Sequence, residues 1–335
     1  MSKENPSLKR QPSARLGFVD NVRGIVVIMY MLAHYAADNP SAVEIPLWFR
    51  HGGHGAGSAF WQYFNLSLMD LGQPIFFTLI GLTVFYAFEK RLERGYSLKE
   101  AAMHAVARNC ILFTASAVWT FVFVRSFDWD LLRAVAFTGL LAVPFLLIKP
   151  VRRIPSVRLA LGAAILLIHH ALADKLAFLA ANEGGIAACI GFIGIVLIGS
   201  AIGDYSRKSP LKYTLLTAAL IFIAVLTVNY WEPAEWILFN TSFMVLSLAI
   251  VNGILFILYA LDKLILNGKP LPVLASLGKN MLFFFLFVIM LGGAPNVLIA
   301  RPLTAFEFWA FGGIYIAVYL GLGWLFQKKN IVIKI

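Results

Sequence analysis

Apolar residues in this chain fall into long runs separated by short polar segments. The runs can be bracketed at roughly 20–38, 66–88, 107–126, 132–148, 157–174, 185–204, 212–230, 237–261, 271–293 and 305–327. A helix needs about 20 apolar residues to cross the hydrocarbon of a bilayer, and most of the runs reach that length. None shows the alternation of a membrane strand, so the pattern predicts helices rather than a barrel. The expected architecture is all-α: a polytopic membrane helical bundle of about ten transmembrane helices. One transmembrane domain should cover residues 18–328, between an N-terminal tail (1–17) and a C-terminal tail (329–335). Neither a soluble domain nor a repeat is visible between the runs.

Composition strengthens this picture. Apolar residues make up 60% of the 335, with 28 basic and 17 acidic side chains. A soluble protein of this size has too little interior to hide so much apolar area. Two cysteines are too few for a disulfide framework, and both fall in apolar runs, where they read as small packing residues. If the runs are spans, 23 of the 28 Lys and Arg residues lie on one side of the membrane. By the positive-inside rule that side is cytoplasmic, and both termini belong to it. The net charge of +11 is then a basic rim facing anionic lipid headgroups. It is divided among short loops, which argues against nucleic-acid binding. The opening MSKENPSLKRQPSARLG is polar and short, and leads into a full-length run, so no cleaved signal peptide is expected. Short loops suit a bacterial cytoplasmic (inner) membrane.

An ionisable group in hydrocarbon is costly and marks a candidate site. The first run, VDNVRGIVVIMYMLAHY, holds Arg23 and His34. They are eleven steps apart, which is about 16 Å along a helix and within about 20° of the same direction. Both side chains therefore share one stripe, one near each membrane face. Such a stripe suits a long ligand. Arg23 could hold a phosphate, while His34 could act as general base or carry an acyl group transiently. The plain alternative is that Arg23 pairs with Asp20 at the interface and His34 is a hydrogen-bonded bundle residue.

Arg23-x10-His34 resembles the R-x10-H signature of the membrane acyltransferase-3 family, in the span where that family carries it. The surrounding RLGFVDNVRGIVVIMYMLAHY is similar to the related heparan-α-glucosaminide N-acetyltransferase family. MDLGQPIFFTLIGLTVFYAFEKRLERG resembles that superfamily's second span, with Asp70, Pro74, Phe77 and Gly81 as landmarks, and SLGKNMLFFFLF resembles a late span. These stretches cover about a quarter of the chain. The resemblance implies an acyl-CoA-dependent acetyltransferase. Such an enzyme takes an acyl group, usually acetyl, from cytoplasmic acetyl-CoA (or another acyl-CoA) and places it on a saccharide or glycolipid acceptor across the membrane.

Further candidates follow from the same resemblance. WFRH, residues 48 to 51, is similar to the segment carrying the essential histidine of the glucosaminide N-acetyltransferases. His34 and His51 thus compete for the proton-transfer role. The expectation is that His34 moves the proton and His51 lines the acceptor side or shares the task. Asp70 either orients a histidine or caps the second helix. Arg91 and Arg94, three apart in RLER, resemble the family's R-x-x-R element and would face the nucleotide phosphates of CoA. Lys279 and Asn280 are read as phosphate contacts or as part of the basic rim. His51 and His54 could share a metal ion, yet no Cys, Asp or Glu lies near them in sequence, and no metal is expected.

A secondary transporter or flippase for a small or lipid-linked substrate is the alternative, because such proteins also bury a few ionisable residues among about ten helices. Matching halves are not evident, and the polar interest concentrates in the first hundred residues. The acceptor, the acyl length, the choice between direct transfer and an acyl-histidine route, and the oligomeric state (a homodimer is allowed) stay open.

Overall fold

A computed structural model of the chain describes residues 17–38, 70–125, 129–179, 184–230, 239–267, 269–291, 294–299 and 301–333. Among them the regular structure is helical. The principal helices are α1 (Gly17–Asp38), α2 (Gly72–Glu93), α3 (Leu98–Trp119), α4 (Leu131–Leu147), α5 (Pro155–Leu172) and α6 (Gly185–Lys208). They are followed by α7 (Pro210–Tyr230), α8 (Thr241–Leu261), α9 (Pro272–Lys279), α10 (Met281–Leu291) and α11 (Ala305–Lys328). A short helix, Lys149–Arg153, links α4 to α5.

Among the described residues six helices are long and apolar enough to cross a membrane: α3 and α8, each lengthened by a wide final turn, with α5, α6, α7 and α11. Helix α4 is apolar but has only 17 residues. Helices α1 and α2 have 22 residues each but fall outside that set. In α1 the polar Asp20, Asn21, Arg23 and His34 dilute the apolar stretch. The ninth apolar run is not one helix, because it breaks at Asn280 between α9 and α10.

Several helices start where sequence chemistry requires. Ser97 and Glu100 form a capping box at α3, with Ser97 Oγ accepting from Glu100 N (3.2 Å) and Glu100 Oε2 from Ser97 N (2.7 Å). Thr304 and Glu307 repeat it at α11. Asp130 and Asn240 cap α4 and α8 by accepting from Arg133 N and Phe243 N. Pro155 and Pro272 stand at the starts of α5 and α9, where a missing N–H costs nothing.

Helix α6 is the central rod, packed by α2, α5, α4, α7 and α8. In its apolar window 89% of residues are buried, against 17% in α3, which places α3 on the outer surface. The α2–α6 crossing brings backbones together. A Cβ on Gly81 would collide with the main chain of Val196–Ser200, and one on Gly199 with that of Thr78. Close approach of this kind replaces the hydrophobic driving force that helices lack in lipid. Cys189 is buried against this core as expected, whereas Cys110 is exposed on α3 and packs nothing inside.

A second packing unit joins α1 to α9, α10 and α11 through Val27, Met31, Leu277, Phe284 and Tyr319. Gly24 lies against the Leu274 backbone and Gly278 against Asp20 O, so α1 and α9 also touch backbone to backbone. Asn21 Oδ1 accepts from Leu271 N (2.9 Å) and locks the start of α9 to α1. At the other end of α1, Tyr35 donates to Phe308 O (2.6 Å).

Candidate functional site

The α1–α9 clamp brings Arg23 beside Lys279 and Asn280. All three line a cavity of about 380 Å³ that α1, α2, α3, α4, α9, α10 and the C-terminal segment enclose. Arg108 of α3 lines it too. Three cations thus face the cavity, and among its described lining residues there is no carboxylate. The remaining wall is apolar, with Phe76, Ile80, Leu132 and Phe285 among its residues.

The cavity is deep. Leu131 and Leu132 belong to the first turn of α4, which lies level with Ser116 because Ser116 donates to Asp130 Oδ2 (2.5 Å). Eight helical steps, about 12 Å, separate Ser116 from Arg108 on α3. The cavity therefore runs from a cationic mouth to an apolar floor about 12 Å inside the bundle.

Arg23 is held in place rather than loose. Its Nη2 donates to Thr83 Oγ1 of α2 (3.2 Å), and its Nη1 stands 3.7 Å from Asp20 Oδ1. The Asp20 pairing weighed from the sequence is present, and the Arg23 side chain is 24% exposed. Arg23 thus stands between a carboxylate and the cavity that it lines. Lys279 and Arg108 are exposed, and Arg91 lies close enough to Arg108 to repel it. Arg91 is half-buried and Arg94 exposed at the end of α2; neither lines the cavity.

Asn280 lines the cavity but is committed elsewhere. Its Nδ2 donates to Ser276 O (3.0 Å) and Ile331 O (3.1 Å), and its Oδ1 accepts from Ile333 N (2.8 Å). A turn at Asn330, with φ of 51°, folds the C-terminal segment back to meet it. Val332 and Ile333 then become part of the cavity wall. Asn280 is thus a positioning residue for the tail.

His34 sits half-buried beyond the apolar floor. Its ring meets Tyr30 edge-on at 4.3 Å. Tyr30 stacks on Phe285 at 4.1 Å and meets Phe76 at 6.2 Å. Phe76 and Phe285 line the cavity, so an aromatic triad one residue thick stands between the cavity and His34. Of the two groups of the α1 stripe, Arg23 lines the cavity and His34 does not; rings stand between them.

Asp70 is buried in the turn before α2. The helix begins at Gly72 with Leu71 in the cap position and no side-chain cap bond, so Asp70 is not the cap residue. His51 and His54, with the loop they belong to, lie outside the described residues. Among the described residues no three His, Cys, Asp or Glu side chains gather as a metal site.

Arg108 is the member that sequence reading missed. It looked like one more rim cation. Its position four residues before Leu112, on the side of α3 that turns inward, was the available signal. Two further cations escaped notice, Arg133 and Arg158, which are 4% and 0% exposed.

No protein-family model matches the chain, and no curated protein matches it. The resemblance to the acyltransferases therefore stands on the residues quoted for it.

Proposed function

We propose that the chain is an integral membrane acyltransferase of the acyltransferase-3 and glucosaminide N-acetyltransferase superfamily, moving an acyl group, acetyl first among candidates, from acyl-CoA to a sugar hydroxyl or amine. In this reading the ten rods are ten crossings, with α9 and α10 as one broken span. Both termini and the cationic cavity mouth are cytoplasmic. The membrane is a bacterial cytoplasmic one.

One observation carries the reading: Arg23, Arg108 and Lys279 converge on the mouth of a deep, apolar-walled cavity whose floor abuts the ring against which His34 packs. Cations at the mouth suit phosphates, and apolar walls suit an extended uncharged arm. Arg23 and Lys279 would fix the donor, and the depth would carry a thioester toward the aromatic triad. His34 would accept the proton of the acceptor hydroxyl or amine as that group attacks the acyl carbonyl, with the thiolate leaving. Asp70 and His51 are assigned to the acceptor side.

The test is to incubate purified full-length protein with radiolabelled acetyl-CoA and candidate saccharides and follow labelled product. Label should appear in a saccharide with wild type and not with His34→Ala. A wild-type protein that neither transfers label nor binds acetyl-CoA would reject the proposal. A second reading, transport, is favoured by the break at Asn280, since transporters place sites at interrupted helices. Substrate flux into proteoliposomes without acyl transfer would select it.

A further inference from the structure

A second cavity, about 400 Å³, opens at the same end of the bundle on the opposite face of α2. Phe85, in its wall, is nine helical steps from Phe76 in the first cavity, half a turn away at about 100° per residue. Its cations come from four elements: Lys90 of α2, Arg152 and Arg153 of the short helix, Arg158 of α5, and Arg207 and Lys208 of α6. Glu89, Glu93 and Asp204 are its carboxylates, so three positive charges are in surplus.

The pairing inside is uneven. Arg152 bonds Glu89, and Lys90 bonds Glu93 at 2.9 Å. Asp204 alone faces three cations: Arg158 at 2.6 Å, Arg207 at 3.3 Å and Lys208 at 3.7 Å. Arg158 is fully buried. It donates to Arg152 O at 2.8 Å and lies 4.9 Å from the Phe85 ring, yet its Nε has no hydrogen-bond partner among the described residues. An orphaned guanidinium N–H in a buried site is costly, and an anion in the cavity would add a second counter-charge to a cluster in which Asp204 faces three cations. Arg207 is stacked over Tyr86 at 4.4 Å, which fixes its donors without using them up.

The surroundings specify the kind of anion. Ile148, Ile154 and Leu211, next in sequence to the cationic segments, are exposed apolar side chains. The cavity thus opens at a boundary between a charged end and an apolar flank, where a phospholipid sets its phosphate above its acyl chains.

We infer that this second cavity binds a phosphate group, as carried by an anionic phospholipid headgroup, and that the charge surplus around Arg158 and Asp204 is its recognition element. Nothing in the acyl-transfer reading requires it, and it shares no lining residue with the first cavity.

The test is thermal unfolding of the full chain in detergent micelles with added phosphatidylglycerol, phosphatidylcholine or inorganic pyrophosphate. Wild type is compared with the double substitution Arg153→Gln and Lys208→Gln, at two exposed positions. Phosphatidylglycerol should raise the wild-type Tm by roughly 3 °C or more, phosphatidylcholine should not, and the double variant should lose most of the rise. Pyrophosphate matching phosphatidylglycerol, with the same loss in the variant, keeps the phosphate site and assigns it to a soluble anion. Equal stabilisation by both lipids, or an undiminished rise in the variant, overturns the proposal. Should the double variant fail to fold, Arg153→Gln alone gives the same comparison with a smaller loss.

Discussion

The two cavities flank one helix and use the same ingredients to different ends. On one face of α2, Arg23, Arg108 and Lys279 line a cavity whose described lining holds no carboxylate, Asp20 stands 3.7 Å from Arg23, and the walls are aromatic and aliphatic. On the other face, six cations and three carboxylates interlock, and the deepest guanidinium is fully buried. The first arrangement leaves charge available at the mouth of a long apolar hole. The second balances half of its positive charge in joining α2, the short helix, α5 and α6, and keeps three charges in surplus. Counting cations does not tell the two cavities apart; the number of carboxylates among them and the lining of the walls do.

Four substitutions sharpen that contrast, taken from the largest expected effect. His34→Ala should lower the rate of acyl transfer by roughly 10²–10⁴-fold with Tm little changed, the usual worth of a positioned proton-transfer group. Near-normal turnover would remove His34 from the mechanism. In the second cavity, Asp204→Asn leaves Arg158 buried with its main counter-charge gone. The expected loss is about 3 kcal/mol in unfolding free energy, read by denaturant titration in micelles, because breaking a buried pair strands the partner.

Arg23→Ala should weaken acetyl-CoA binding about tenfold, near 1.4 kcal/mol, by calorimetry. Secondary structure should be preserved, since α1 and α9 are held by Gly24, Gly278 and Asn21. Unchanged binding would show that the first cavity is not a phosphate site. The smallest effect is expected for Asp20→Asn. Its pair with Arg23 spans 3.7 Å and Arg23 is partly open while Asp20 is buried, so stability should fall by about 1 kcal/mol, less than for Asp204→Asn. If Asp20→Asn cost as much as Asp204→Asn, the contrast between a partly open ion pair and a buried one would fail.

Much of the helical layout was legible along the chain. Every apolar run carries a helix in its described part, because burying backbone polar groups in an apolar segment leaves the helix as the local solution. Boundaries slipped where polar chemistry set them. The third run was bracketed from 107, yet α3 starts at Leu98, since the capping box of Ser97 and Glu100 extends it into polar sequence. The ninth run was read as continuous. The Asn280 side chain bonds to Ile331 and Ile333, a contact across more than fifty positions that no local pattern contains.

The α1 stripe is the part of the candidate site that a single helix could specify. Arg23 and His34 share a direction because eleven residues nearly complete three turns, a fact of periodicity alone. Nothing of that kind could place Lys279 and Arg108 beside Arg23, or put Tyr30, Phe76 and Phe285 between the cavity and His34. Nor could composition tell the rim cations apart. Arg94 ends exposed on α2, whereas Arg158 is closed off beneath Phe85 and Asp204. The helix and its facing residues follow from bonds and spacing within a turn or two. Which helices approach depends on glycines allowing backbones to meet, Gly24 on Leu274 and Gly81 on Val196, and that complementarity exists only once both surfaces are formed.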